Sequence, residues 1–188
     1  MKMPSADRLV AMAAVLVAAV LLTLDISCHG AGVEPAEDET AAITPAGCDP
    51  EAKPAELNLT LKDMNGADVS LAASKGKVLI INFWATWCAP CKAEIPGFVE
   101  LQKQYPNDLQ IFGISIDDTP DMLKPYAEEF KMNYPVLVGL HRDDVEKAYG
   151  PFFGIPQSFM ISRDGKVCSR HAGIRSKDRF EQEIKALL

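Results

Sequence analysis

Cys88 and Cys91 are the residues of this chain best placed to do chemistry. They bracket Ala89-Pro90 within the stretch Asn82-Phe83-Trp84-Ala85-Thr86-Trp87-Cys88-Ala89-Pro90-Cys91. An apolar run, Val78-Leu79-Ile80-Ile81, precedes the pair and reads as a strand buried on both faces. A helical pattern begins at Ala89. Cys88 therefore falls at or near a helix N-cap, with Cys91 one turn on. Unpaired N–H groups at a helix start carry partial positive charge and favour thiolate over thiol. Lowering a thiol pKa from ~8.5 to ~7 takes only about 2 kcal/mol. Residues three apart in the first turn share a side, so Cys91 can close a small disulfide ring with Cys88. Pro90 falls where a missing N–H costs little. The expected chemistry is disulfide exchange, with Cys88 as the exposed attacker and Cys91 as the shielded thiol that resolves the mixed disulfide. A closed zinc site lacks ligands, because the chain holds no second Cys-x-x-Cys and no His-x-x-x-His. No metal and no cofactor are expected, since the sulfur pair itself carries the electrons.

The elements that must position this pair follow in chain order. Leu57-Asn58-Leu59-Thr60-Leu61 alternates like a half-buried strand, and Asn65-Gly66 with Val69-Ser70-Leu71 completes a hairpin. The helix from Ala89 presents Cys91, Ile95, Phe98, Val99 and Leu101 or Gln102 along one stripe, with Pro96 expected to kink it. Leu109 to Ile116 reads as the next buried strand. Thr119 and Pro120 open a helix whose first turns Pro125 should make irregular. A short strand at Tyr134–Val138, a short helix at Asp143–Tyr149 and a hairpin over Ser158–Ala172 follow. Ser176 caps the final helix. Alternating strands and helices that end in an antiparallel hairpin predict an α/β fold with a mixed central sheet flanked by helices.

The 188-residue chain carries a net charge of −7, spread unevenly. Residues 28–54 hold six acids against one lysine, whereas residues 55–188 hold 18 acids against 16 bases. The folded part is nearly neutral and carries no nucleic-acid footprint. Lys2 and Arg8 precede the apolar run Leu9 to Leu24. Residues 1–27 are thus a signal peptide or membrane anchor. Ser27-Cys28 adds a third option, a lipoprotein box with Cys28 acylated, which Asp25 fits poorly. All three export the domain. Residues 28–54, rich in Ala, Pro and acids, read as a flexible linker, and residues 55–188 as the domain. Cys48 reads as an incidental thiol in that linker, with a disulfide to Cys28 or Cys168 open in an oxidising compartment. Cys168 itself reads as a small packed residue.

The motif FWATWCAPC resembles the thioredoxin superfamily. Lys75-Gly76-Lys77, Cys91-Lys92-Ala93-Glu94-Ile95-Pro96 and Gly154-Ile155-Pro156-Gln157-Ser158-Phe159 resemble its TlpA/ResA-like branch of membrane-tethered thiol-disulfide oxidoreductases. The resemblance covers about residues 55–188. It implies a thioredoxin-like fold with an N-terminal β-hairpin extension, and an active-site acid at Glu94. Asn82 stands where thioredoxin keeps a buried Asp, so Glu94 is the side chain left to handle the proton of Cys91. The resemblance also implies a cis bond before Pro156, with that ring facing the sulfurs and the backbone of Ile155 free to pair with an extended substrate. Trp87 reads as a rim aromatic offered to substrate, and Trp84 as core. His141 and His171 are expected to take no part. The implied clients are protein disulfides such as those of apocytochrome c. The implied electron source is a membrane donor of the DsbD/CcdA kind, and the implied location is the periplasm or the outer face of the cell envelope. Two other readings are available. A peroxidase would need Pro where Ile81 stands and Thr one residue before Thr86. A non-enzymatic copper carrier would use the two thiols as soft ligands.

Overall fold

The computed structural model describes residues 48–188. Its strands are β1 (Thr60–Lys62), β2 (Asp68–Ser70), β3 (Val78–Trp84), β4 (Leu109–Ser115), β5 (Val136–Val138), β6 (Gln157–Ile161) and β7 (Val167–Ala172). Its helices are α1 (Ala89–Gln104), α2 (Pro120–Glu129), α3 (Asp143–Tyr149) and α4 (Lys177–Leu187). Five strands form the central sheet in the order β5-β4-β3-β6-β7. β3 runs parallel to β4 and antiparallel to β6, and β1 with β2 forms a separate hairpin. The expected mixed α/β sheet and its hairpin extension are therefore present.

β3 lies at the centre and every one of its residues is buried. Its period-2 alternation splits the core in two. Leu79, Ile81 and Phe83 face a cluster completed by Leu61 of β1 and by Val145 and Tyr149 of α3. Val78 and Ile80 face the other side, against Phe98 and Leu101 of α1 and Phe180 and Ile184 of α4. Trp84, at the end of the strand, begins a third cluster that holds Cys88, Cys91 and Ile95, closed by Leu123 and Ala127 of α2. The reactive sulfurs thus grow out of the core rather than off a mobile loop.

Several expectations need correction. α2 runs from Pro120 to Glu129 without a break, and Pro125, its sixth residue, costs it only the one ladder bond that a proline nitrogen cannot donate. Thr119 caps it through its backbone carbonyl, which accepts from Met122 and Leu123, and not through its hydroxyl. Ordered structure also extends ahead of residue 55. Val167 N–H donates to the carbonyl of Lys53 and Ala55 N–H to that of Gly165, so residues 53–55 line the free edge of β7. Cys48 is bonded to Cys168, so neither is a bystander. His171 is buried on the inner side of β7, 2.9 Å from the Glu183 carboxylate of α4, where it serves packing. Residues 1–47, which contain Cys28 and the apolar run, lie outside the described residues. Among the described residues no helix is long and apolar enough to cross a membrane.

Candidate active site

β3 and β4 are parallel and in register from Val78–Leu109 to Trp84–Ser115, so both chains leave the sheet at the same end. Functional groups of open α/β sheets gather at this carboxyl end. The chain leaving β3 turns through Ala85, Thr86 and Trp87, with the Cys88 N–H donating to the Ala85 carbonyl at 3.1 Å. Cys88 is the N-cap of α1, in extended backbone at φ −82° and ψ 102°. Its Sγ accepts from the Cys91 N–H at 3.2 Å, as a capping oxygen would in the commoner helix start. Pro90 lies within the first two helical positions. Cys88 and Cys91 are joined by a disulfide, the Cα atoms 5.3 Å apart.

The expected contrast between an open Cys88 and a shielded Cys91 is absent in this oxidised state. The two residues are 3% and 2% exposed. The bond holds the Cys88 sulfur back toward the helix, and the carbonyl oxygen of Ile155 stands 3.6 Å from it. Ile155 is brought there by the loop before β6, and the Ile155–Pro156 bond is cis. The Pro156 carbonyl accepts from Gly173 N–H at 2.8 Å, which ties this loop to the turn after β7.

Glu94 lies one helical turn beyond Cys91 on the buried face of α1 and is 5% exposed. Oε1 accepts from the Arg175 backbone N–H at 2.7 Å. Burial pushes its carboxyl up to about 7, against the smaller opposing pull of the Arg175 backbone N–H and guanidinium. A carboxyl at that value exchanges its proton near neutral pH, which suits a general acid or base. Asn82, in contrast, donates through its side-chain amide to Ser158 at 3.0 Å and bridges β3 to β6.

Trp87 is 64% exposed beside the pair, its indole N–H donating to Asp117 at 2.9 Å, while Trp84 is 1% exposed in the core. The structure therefore gathers Trp87, Cys88, Cys91, Glu94, Ile155 and Pro156 at one end of the sheet. Among the described residues, no group of three or more His, Cys, Asp or Glu side chains converges as a metal site. Other groups here went unread in the sequence. Asp117 and Asp118, from the loop after β4, hold the two residues that precede Cys88. Phe153 is 93% exposed two positions before Ile155, and Gln157 reaches back to the Gly154 carbonyl at 3.0 Å. The sole signal for the aspartates was their position, immediately past a buried strand parallel to β3.

Residues 52–170 match the AhpC/TSA family. Over 131 residues the chain is 31% identical to the thiol-disulfide oxidoreductase ResA of Bacillus thuringiensis, a match spanning 69% of this chain and 75% of that protein. A thioredoxin-family thiol:disulfide interchange protein from Chlorobium tepidum superposes with a TM-score of 0.67 at 32% identity, covering 74% of this chain and 98% of that one. The pneumococcal exposed lipoprotein thioredoxin superposes at 0.60 with 27% identity, covering 69% and 98%. The chain belongs to the AhpC/TSA family and, by its thioredoxin-like fold and Cys-x-x-Cys pair, to the ResA-like thiol-disulfide oxidoreductases.

Proposed function

We propose that this oxidoreductase is an extracytoplasmic protein-disulfide reductase, tethered to the cell envelope by its N-terminal segment, whose clients include apocytochrome c. The observation that carries the reading is the Cys88–Cys91 disulfide at the tip of α1, with the buried Glu94 carboxyl one turn behind it. In the reduced enzyme the Cys88 thiolate attacks one sulfur of a client disulfide. The client S–S bond breaks, a Cys88–client S–S bond forms, and the departing client thiolate takes up a proton. Cys91 then loses its proton to Glu94, and the resulting thiolate attacks the Cys88 sulfur. The Cys88–Cys91 bond forms and the second client thiolate departs. That thiolate takes the proton held on Glu94, so two electrons and the Cys91 proton pass to the client, and the first client thiolate draws its proton from water. A membrane dithiol donor of the DsbD/CcdA kind restores the pair by the same exchange run on Cys88.

Ile155 and Pro156 serve the encounter. The loop backbone before β6 offers the Ile155 carbonyl beside the sulfur, a group to which a client backbone can pair, and Trp87 supplies a flat apolar face. Export is supported by the apolar run Leu9 to Leu24 behind Lys2 and Arg8, and by the lipoprotein character of the pneumococcal relative. Acylation of Cys28 is one of the ways this tether could be made. The test is to replace Cys91 by Ser in the full chain, reduce it, and capture what stays joined to Cys88 in the envelope. Covalent adducts with Cys-x-x-Cys-His apocytochromes are the expected result. Adducts confined to other clients would remove the cytochrome assignment. A reduction potential near −120 mV, that of a strong oxidant, would reverse the direction of the electrons.

A further inference from the structure

Asp118 lies on the loop between β4 and α2 and is 0% exposed. Its Oδ2 accepts from the Thr86 N–H at 2.8 Å and from the Ser115 hydroxyl at 2.6 Å. Its Oδ1 accepts from the Thr86 hydroxyl at 2.6 Å. Thr86 is therefore gripped twice, through backbone and side chain, two residues before Cys88. The next residue, Trp87, is held by Asp117, and the Ile116 N–H donates to the Trp84 carbonyl at 3.1 Å. The turn that delivers Cys88 to the helix tip is thus fastened to β4 along its length. None of the three donors to Asp118 is a cation, so an ionised carboxylate here has no counter-charge among its hydrogen-bond partners.

We propose that Asp118 is a positioning residue for Cys88. Its grip on Thr86 fixes the turn that sets the sulfur at the N-terminus of α1. Its uncompensated charge opposes the thiolate there and holds the pair toward the reducing end. The helix start draws negative charge onto the Cys88 sulfur, and Asp118 pushes against it. The other titratable or charged groups near the turn are Asp117 on the same loop, Tyr126 of α2, whose ring packs on Trp84 and whose hydroxyl feels the Asp118 charge, and Cys91, Lys92 and Glu94 on α1. The loop before β6 brings only the Ile155 carbonyl. A dithiol whose thiolate is less favoured forms its disulfide more readily and is the stronger reductant. That half of the inference rests on the reductase reading.

Three variants in the full chain test it: Asp118→Asn, Thr86→Val and Thr86→Ser. In Asp118→Asn the thiolate-to-thiol ratio at Cys88, followed by pH-dependent alkylation, should rise about threefold. The potential measured in glutathione buffers should move upward with it. Thr86→Val keeps the charge and loses one limb of the grip. Its kcat/KM on a disulfide peptide should fall on the order of tenfold, with no rise in that ratio. Thr86→Ser, which keeps both limbs, should restore the rate. An Asp118→Asn enzyme with unmoved acidity and potential, or a Thr86→Val enzyme as fast as Thr86→Ser, overturns the proposal. If Asp118→Asn does not fold, the two Thr86 variants decide the grip, and Asp118→Ser, measured in the same way, decides the charge. A strongly oxidising potential in the unaltered protein would defeat the reductase reading, whereas the shift between variants judges Asp118.

Discussion

The domain contains two disulfides, and they differ in almost every respect that matters. Cys88–Cys91 closes a ring between residues three apart, at the end of the central strand, inside an apolar cluster. Cys48–Cys168 joins residues 120 apart and fastens the segment ahead of β1 to the edge strand β7. Strand register sets them at opposite ends of the sheet. Cys168 follows Val167, which pairs with Ile161, and Ile161 in turn pairs with Leu79 near the start of β3. Cys48 therefore lies at the end of the sheet away from the reactive sulfurs. One bond type is used once as a reagent and once as a clasp, and loop length separates the uses. Closing three residues constrains the unfolded chain little, so making or breaking that bond is nearly free of folding cost. Closing 120 residues constrains it heavily.

The largest effect that would break this contrast is on rate. Cys88→Ser should abolish exchange with a protein disulfide, a loss of at least about a thousandfold. The double variant Cys48→Ser/Cys168→Ser, which leaves neither clasp cysteine as a lone thiol, should stay within about twofold of the unaltered enzyme. An insulin reduction assay measures both. If the double variant lost activity to a similar degree, the clasp would belong to the catalytic cycle. The second effect is on stability and runs the other way. Removing the clasp should cost up to about 4–5 kcal/mol by chain-entropy reasoning, read as a lower urea midpoint, while reducing Cys88–Cys91 alone should cost far less. By linkage the native fold favours the clasp as much as the clasp favours the fold. In a glutathione titration followed by alkylation and mass analysis, Cys88 and Cys91 should therefore become reduced first.

How these regions read in the sequence differs in the same way. The reactive pair was legible because its chemistry is local. A buried strand, a turn, two cysteines three apart and an early proline all lie within a few residues, and the structure returns them as β3, an N-cap Cys88 and α1. The clasp was not legible, because nothing in the residues around Cys48 or Cys168 encodes a partner 120 positions away. The composition of residues 28–54 argued for a solvated linker, and its last part is instead held by β7. Asp118 was missed for a related reason. Two of its three hydrogen bonds, those from Thr86, exist only once β4 is laid beside β3. Pro125 misled because a proline inside a helix removes a single ladder bond, a loss α2 absorbs with Leu123 and Ala127 packed into the core. The shielding of Cys88 could not be read either, since Ile155 arrives from 67 residues away.

Glu94 sharpens the comparison at intermediate size, because a stability effect here would belong to the reactive end. Its carboxyl titrates at about 7 in the fold, above its ordinary value of 4.5. The folded state thus holds a proton that the unfolded state releases between those two values. Stability from this group is present below about pH 4.5 and is lost as pH rises through about 7. Glu94→Gln, which keeps the shape and never ionises, should remove that slope. At pH 8 it should be more stable than the unaltered protein by up to about 3 kcal/mol. At pH 4 the two should be close. Urea unfolding at both pH values measures this, and parallel pH profiles for the two proteins would show that burial does not govern Glu94. The same substitution should slow the resolving step near neutral pH, as the yield of trapped Cys88 adduct would reveal.

The smallest effect concerns the rim, and it asks whether the reactive end is open to clients in a way the clasp end is not. Trp87 is 64% exposed and tied to the body by one hydrogen bond to Asp117, so little of the fold rests on it. Trp87→Ala should change stability by less than about 0.5 kcal/mol, since exposed side chains away from caps and buried networks seldom do more. If its ring meets the client, the loss should appear in KM rather than kcat, because a flat apolar contact holds ground state and transition state alike. About 1–2 kcal/mol of such contact would raise KM roughly five- to thirtyfold for a protein disulfide. A small disulfide without a polypeptide around it reaches the sulfurs without the ring, and its KM should move much less. Equal losses on both substrates would mean that Trp87 acts on the sulfur pair itself, by way of Asp117 and the turn, rather than on what approaches it.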